Sequence, residues 1–276
     1  MSRNVVPWLF ILPILLLHFF IVGFSSVSAF YYSLTEWSGI KKPKFIGLEN
    51  YVNLFNDLDY YNAFINNIIW LIFFLIVPFI LALYVASILS KVKKFSITYR
   101  TLLFLPYVLP SVVVSFLWRN LLNPKSGIFE NAYLGMSETA LITIAFIDCW
   151  RFWGFLLILF ITAMQSIPKD LYESAKIDGA NAFQEFIHVT LPGIRPVVAF
   201  MIMMVSIWSF LAFDYIWILT QGGPAGSSDV MATSLFRDAF ARFDAGYAAA
   251  KGMTLTFIAG CIVAIFFVLR KIGWEI

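Results

Sequence analysis

Charge is scarce in this chain. Asp, Glu, Lys and Arg make up 13% of its 276 residues, about half the share found in a soluble domain, which excludes an ordinary water-solvated fold. Cysteine is also rare. Cys149 and Cys261 lie in apolar stretches with neither CxxC spacing nor a histidine cluster beside them, so nothing suggests a disulfide framework or a metal site. They read as buried thiols acting as small hydrophobes. The only histidines are His18 and His188, and no HExxH occurs. "GFSS" from Gly23 is a poor nucleophile motif because no base is evident at the same depth. No catalytic residue is therefore expected. The phosphate-cradling pattern GxxxxGKS/T is missing, so ATP is not expected to be handled by this chain. An internal repeat of the kind often seen in inverted-topology carriers is missing too, which argues against a self-sufficient secondary transporter.

What is present is apolar: 61% hydrophobic and 18% aromatic residues, with a mean hydropathy of +0.85. The chain reads as an all-α integral membrane protein. A span takes about 20 mostly apolar residues, and no charge interrupts 4–35, 60–90, 101–118, 152–168, 196–213 or 252–269. Six transmembrane helices are expected near 8–33, 64–90, 100–122, 139–165, 195–219 and 250–270, the fourth carrying Asp148 and Arg151 inside it. Arg3 ahead of an apolar run and small residues in "SVSAF" give the first span some likeness to a cleaved signal. Its run outlasts the roughly 7 to 15 residues of a signal core, so an uncleaved anchor is expected.

Lys and Arg concentrate in cytoplasmic loops. With the N-terminus inside, the cytoplasmic segments hold Arg3, then Lys91, Lys93, Lys94 and Arg100, then Lys169, Lys176 and Arg195, and finally Arg270 and Lys271. The outer segments hold Lys41, Lys42, Lys44, Arg119, Lys125, Arg237, Arg242 and Lys251, spread over more chain and accompanied by most of the acids. Both termini are expected to be cytoplasmic, as is the charged segment between spans four and five.

That segment, "IPKDLYESAKIDGANAFQEFIHVTLP", has a helical pattern of its own. Pro168 suits a first helical turn, Asp170 and Glu173 lie near that helix's positive end, and Gly179 is a stop. Asn181 with Gln184 three residues on reads as a capping box opening a second short helix, closed before Pro192. Leu171, Ala175, Phe183, Phe186 and Ile187 put apolar surface on both arms. A simple connector needs no such pattern; a surface that docks a soluble protein does.

The order Glu173, one residue, Ala175, three residues, Gly179, nine residues, Val189, one residue, Leu191, Pro192 resembles the EAA loop of permease subunits in binding-protein-dependent ABC importers. It departs at Ser174, where the family usually has alanine, and at Val189, where it usually has isoleucine. "DCWRFWGFLLILFITAMQSIPKDLYESAKIDGANAFQEF", "LPYVLPSVVVSFLWRNLLNPKSGIFEN" and "TQGGPAGSSDVMATSLFRDAF" are similar to the MalF-type permeases of carbohydrate importers, over nearly the whole chain. The resemblance implies half of a translocation pathway for a sugar or oligosaccharide, the other half coming from a sister permease, usually in a heterodimer. It also implies two ATPase subunits that bind ATP and magnesium, an extracellular solute-binding protein, and a bacterial or archaeal plasma membrane. A permease for a non-sugar solute is the alternative. The loop at 166–193 would be the ATPase-coupling element, through Glu173, Ala175, Asp178, Gly179, Phe183, Leu191 and Pro192, with apolar contact from Leu171 and Phe186 as well.

Charges within a span are expensive, about 2.5 to 3.5 kcal/mol each on insertion scales, and so mark candidate sites. Asp148 and Arg151 share one helix face, flanked by Trp150 and Trp153. They read either as an ion pair facing the sister subunit or as a wall of the sugar pathway. Trp208, Asp214, Tyr215 and Trp217 form a similar set on the fifth span. Pro78, Pro106 and Pro110 remove backbone hydrogen bonds and permit bends. The "TQGGPAGSSD" loop and the amphipathic "SLFRDAFARF" after it are read as an outer contact with the binding protein, with a solvated connector as the alternative.

Overall fold

The computed structural model describes residues 6–92, 94–128 and 133–271. Both termini, and Arg3 and Lys93 from the charge comparison, lie outside the described residues. In chain order, α1 (Val6–His18) runs through a π-helical turn at Phe19–Gly23 into α2 (Phe24–Ser33). A two-stranded antiparallel ribbon follows, β1 (Thr35–Glu36) and β2 (Lys44–Phe45), with Thr35 opposite Phe45. Then come α3 (Glu49–Asn56), α4 (Leu58–Leu89), α5 (Ser96–Val108), α6 (Ser111–Leu121) and α7 (Ala140–Gln165). The charged segment holds α8 (Lys169–Ile177), α9 (Ala182–Glu185), a π-helical turn at Phe186–Thr190 and α10 (Leu191–Gly193). The chain continues with α11 (Arg195–Phe210), α12 (Asp214–Leu219), α13 (Met231–Phe240) and α14 (Ala245–Lys271).

Among the described residues, Phe10–Ser33, Leu58–Leu89, Ala140–Gln165, Arg195–Leu219 and Ala245–Lys271 are long and apolar enough to cross a membrane. The segment 100–122, expected as a span in which Pro106 and Pro110 permit bends, is the pair α5 and α6, bent by 88°, and supplies the sixth span if the bent pair is taken as one. The cause is local. Pro110 disfavours the helical region for the residue before it, and Leu109 is extended (φ −70, ψ 134). Pro78, by contrast, sits inside an unbroken α4.

The described chain divides into two compact units: residues through Tyr60 with Ser234–Phe257, and Tyr61–Thr233 with the residues from Ile258 on. In the first, the buried Asn50 amide donates to the Ser33 and Thr35 carbonyls, at 2.9 Å each, and so ties α3 to the end of α2 and to β1. Gly246 is required by close approach, because a Cβ there would lie 2.1 Å from the Thr35 carbonyl oxygen. Lys251, counted above among the outer charges, is 1% exposed. Its ammonium donates to Asp238 at 2.6 Å and Ser234 at 2.7 Å, with Asp57 3.8 Å away. Arg242 bonds the other oxygen of Asp238 at 2.9 Å. A buried ammonium is tolerated only when paired in this way.

The second unit has an aliphatic and aromatic core in which Ile144, Leu156, Leu157 and Phe160 of α7 are fully buried. Phe160 meets Phe79 of α4 edge-on at 5.2 Å between ring centroids. Gly154 lets α7 approach α5, since a Cβ there would sit 2.2 Å from the Leu103 carbonyl. Asn67, fully buried on α4, donates to the Ser209 carbonyl at 2.8 Å and accepts from the Met231 N–H at 2.9 Å. One polar side chain thereby anchors the end of α11 and the start of α13.

Candidate functional site

Two places gather the residues singled out in the sequence. The first is the charged segment. Pro168 precedes α8, Asp170 is in its first turn, and Gly179 ends it at φ +79. The Ala180 N–H bonds to the Ala175 carbonyl at 2.9 Å and the Gly179 N–H to the Lys176 carbonyl at 3.1 Å. This is the paired C-terminal closure that glycine favours in the left-handed region. Asn181 Oδ1 accepts from the N–H groups of Phe183 (3.1 Å) and Gln184 (3.0 Å), and Gln184 Oε1 accepts from the Asn181 N–H (2.9 Å), which makes the reciprocal capping box.

The second arm does not close before Pro192. It stays helical through the widened turn at Phe186–Thr190 and through Pro192 to Gly193, and α11 begins after the single residue Ile194. Pro192 lacks the N–H that an α-helix would direct at the His188 carbonyl. The π turn takes up the mismatch by bonding the Leu191 N–H to the Phe186 carbonyl instead.

Glu173, Asp178, Gly179, Phe183 and Pro192 are exposed, while Ala175 and Leu191 are half-buried. Phe183 is 73% exposed and Leu171 51%. Phe186 is not on this outward surface; it is half-buried against the unit's own core. Ile177, 86% exposed, is an apolar tip residue that the sequence reading missed. Between the arms lies a cleft of about 470 Å³ that Ser174, Ala175, Asp178, Gln184 and His188 help to line. Two bonds brace the loop. Tyr172 and Thr190 share a hydrogen bond of 3.1 Å between the arms. Glu185, 5% exposed, takes Lys91 just beyond α4 as its ion partner at 2.5 Å.

The second place is a cleft of about 320 Å³. Asp148 and Arg151 reach it from α7, Trp208 from α11, and Asp214 and Tyr215 from α12, so the two sequence sets share one site. Trp150 instead packs edge-on against Trp118, at 5.9 Å between ring centroids, and Trp217 stacks on Phe213 at 5.8 Å; neither lines the cleft. Tyr107, Ser111 and Phe152 line it as well and were not singled out from sequence. Both helix breaks open onto this site: Ser111 stands just past the α5–α6 bend, and Leu211, Ala212 and Phe213 form the gap between α11 and α12.

Ser111 Oγ donates to Asp214 Oδ2 at 2.7 Å across these breaks. The Arg151 guanidinium lies over the rings of Tyr107 (5.0 Å) and Tyr215 (5.9 Å), and one of its terminal N–H groups reaches the Tyr107 carbonyl at 3.5 Å. Arg151 Nε and the Tyr215 hydroxyl are buried without a hydrogen-bond partner among the described residues. Phe152 and Trp208 meet edge-on at 5.6 Å. The arrangement is aromatic faces with unspent polar groups between them, which suits a polyhydroxylated solute.

The loop after α12 is pinned rather than free. Asn66 of α4 donates to the carbonyls of Ser227 (3.2 Å) and Asp229 (2.8 Å), and Thr220 bonds Ser228 at 2.8 Å.

Residues 78–272 match the family described as binding-protein-dependent transport system inner membrane component. A probable ABC transporter permease protein, YurN, of Bacillus subtilis is 34% identical, with 90% of each chain covered. The diacetylchitobiose uptake system permease protein NgcF of Streptomyces coelicolor is 30% identical, over 88% of this chain and 76% of its own. Among solved structures, a chain of a bacterial alginate ABC transporter in complex with an alginate pentasaccharide-bound periplasmic protein superposes with a TM-score of 0.87 at 22% identity. That match covers 98% of this chain and 96% of the other.

Proposed function

Because this chain belongs to the family of binding-protein-dependent transport system inner membrane components, we propose that it is the permease subunit of an ABC importer and forms half of the pathway for a sugar or oligosaccharide. The observation that carries the reading is the cleft at the two helix breaks, where Tyr107, Phe152 and Trp208 offer ring faces and Asp148, Arg151, Asp214 and Tyr215 offer polar groups. The relatives leave the solute's chemistry open, since one is named for diacetylchitobiose and another structure for alginate.

The other half of the pathway comes from a sister permease in a heterodimer. Two ATPase subunits hold ATP and magnesium and perform the hydrolysis. A solute-binding protein delivers the sugar from outside to a surface that includes the 220–229 loop. Both termini are cytoplasmic, in a bacterial or archaeal plasma membrane, and the loop at 166–193 meets an ATPase subunit through Glu173, Asp178, Gly179, Phe183 and Ile177.

The geometry supports a mechanical route between the two places. A push on the α8 tip passes through the Tyr172–Thr190 bond to the second arm, and from there through one residue, Ile194, into α11. The far end of α11 carries Trp208 and runs into the gap at 211–213, which is a wall of the cleft. The Lys91–Glu185 pair links the same arm to α4. Movement at the ATPase therefore reaches the solute site along helices that these side-chain bonds join.

Reconstitution of the complete complex in proteoliposomes, with ATPase activity measured over a panel of solute-loaded binding protein, tests the proposal. Sugars are expected to stimulate hydrolysis. Stimulation by amino acids or metal ions alone would rule out the carbohydrate reading and leave a permease for another solute.

A further inference from the structure

The charged groups lining the cleft are two carboxylates, Asp148 and Asp214, and one guanidinium, Arg151. With all three ionised this chain's wall carries one net negative charge, and with either carboxyl protonated it carries none. In neither state does it offer the surplus positive charge that an acidic solute requires. Arg151 is further committed, its guanidinium spread over the rings of Tyr107 and Tyr215 and one N–H directed to a carbonyl. The groups left unbonded among the described residues include the Tyr215 hydroxyl and Asp214 Oδ1, since Ser111 occupies Oδ2, beside one guanidinium donor, Arg151 Nε. A carboxylate oxygen accepts a hydrogen bond from a sugar hydroxyl or an ammonium group and repels another carboxylate.

We infer that this cleft is a charge filter: it takes polyhydroxylated solutes that are neutral or bear an ammonium group and rejects carboxylated or phosphorylated ones. The inference rests on the reading of the cleft as the solute site. One net charge at about 10 Å, in an effective dielectric near 20, shifts binding of a singly charged group by roughly tenfold.

The test uses three sugar trimers that differ in one substituent per ring: a glucose trimer, its glucuronate counterpart and its glucosamine counterpart, each in α- and β-linked form. Binding to the detergent-purified permease–ATPase complex, without the binding protein, is read by saturation-transfer NMR, which registers weak association. The glucose and glucosamine trimers of one linkage are expected to bind, and the glucuronate trimer, with three carboxylates, at least roughly tenfold more weakly. Combining Asp148→Asn with Asp214→Asn leaves Arg151 as the only charge lining the cleft among the described residues, and the glucuronate trimer then binds at least as well as the glucose trimer. Arg151→Gln shifts preference the opposite way, toward the glucosamine trimer, and keeps the inference testable if the double variant does not assemble. Equal binding of glucuronate and glucose trimers to the unaltered complex overturns the filter while leaving the site standing. Binding by none of the trimers overturns the site as well.

Discussion

Lys91→Met breaks the link between α4 and the second arm of the loop, and its effect follows from where the two charges lie. The Glu185 side chain is 6% exposed and that of Lys91 54%, with 2.5 Å between them. Removing the partner of a fully buried charge costs about 3 to 5 kcal/mol, whereas an exposed pair contributes at most about 1 kcal/mol. A half-exposed partner on a buried carboxylate falls between, at about 2 kcal/mol. That amount leaves the apolar core assembled but lets the arm detach from α4. Lys91→Met is therefore expected to insert and to co-purify with the ATPase while solute-stimulated hydrolysis and uptake fall together, by roughly thirtyfold at most. Adding Glu185→Gln removes the stranded carboxylate and should restore thermal stability without restoring transport, because the tether is still missing. Exchanging the pair, Lys91→Glu with Glu185→Lys, should recover part of both. Proteoliposome uptake and binding-protein-stimulated ATPase activity give the answer, and unchanged values for Lys91→Met would refute the claim that α4 and the arm move as one lever.

At Gly179 a Cβ meets no atom within 4 Å, so the cost of substitution there is conformational. Gly179→Ala should destabilise the turn by about 1 kcal/mol and Gly179→Asn by less, while Gly179→Asp or Glu173→Lys abolishes coupled uptake if the tip seats in an ATPase cleft, as transport assays will decide. Single cysteines at Ser96 and Ala225, in a chain lacking Cys149 and Cys261, should react with an impermeant reagent from opposite sides, and same-side labelling would refute the topology. Ala225 is chosen because it is exposed. Burial raises the carboxyl pKa of Asp57, but the Tyr247 hydroxyl, the N–H groups of Tyr60 and Asp59 and the Lys251 ammonium together bring it below the ordinary carboxylate value of 3.8. A depressed folded-state pKa adds stability that is present above 3.8 and lost as pH falls through the lower folded value. Thermal midpoints measured against pH should show that acid loss in the native chain and a smaller one in Asp57→Asn.

The charged loop was legible in sequence because its signals are local. A proline, a glycine and an Asn–Gln pair at the right spacings settle backbone bonds within a few residues, and the capping box and the left-handed Gly179 lie where those residues point. Phe186 went astray because its burial comes from packing against the unit's own core, which spacing within the loop does not report. Glu185 and Lys91 gave no signal, since 94 positions separate them. The Lys251 knot was hidden for the same reason: Asp57 and Lys251 are far apart in sequence.

The cleft was half legible, and its two helix breaks differ in kind. The bend between α5 and α6 is set by the Pro110 ring acting on Leu109 and persists wherever that pair occurs. The gap between α11 and α12 falls on Leu211, Ala212 and Phe213, none of them a helix breaker, so no local signal announces it. It is held by tertiary bonds at its edges: the Asn67 amide on the Ser209 carbonyl and Ser111 on Asp214. Backbone kept out of a helix by its surroundings returns to one when those bonds shift, whereas backbone interrupted by proline does not. The wall most exposed to motion arriving along α11 is thus also the wall whose conformation the local sequence leaves free to change, and a pathway that alternates its access is expected to hinge at 211–213 against the α5–α6 bend; a constant distance between spin labels on α11 and α12 in nucleotide-free and ATP-bound complex would refute it.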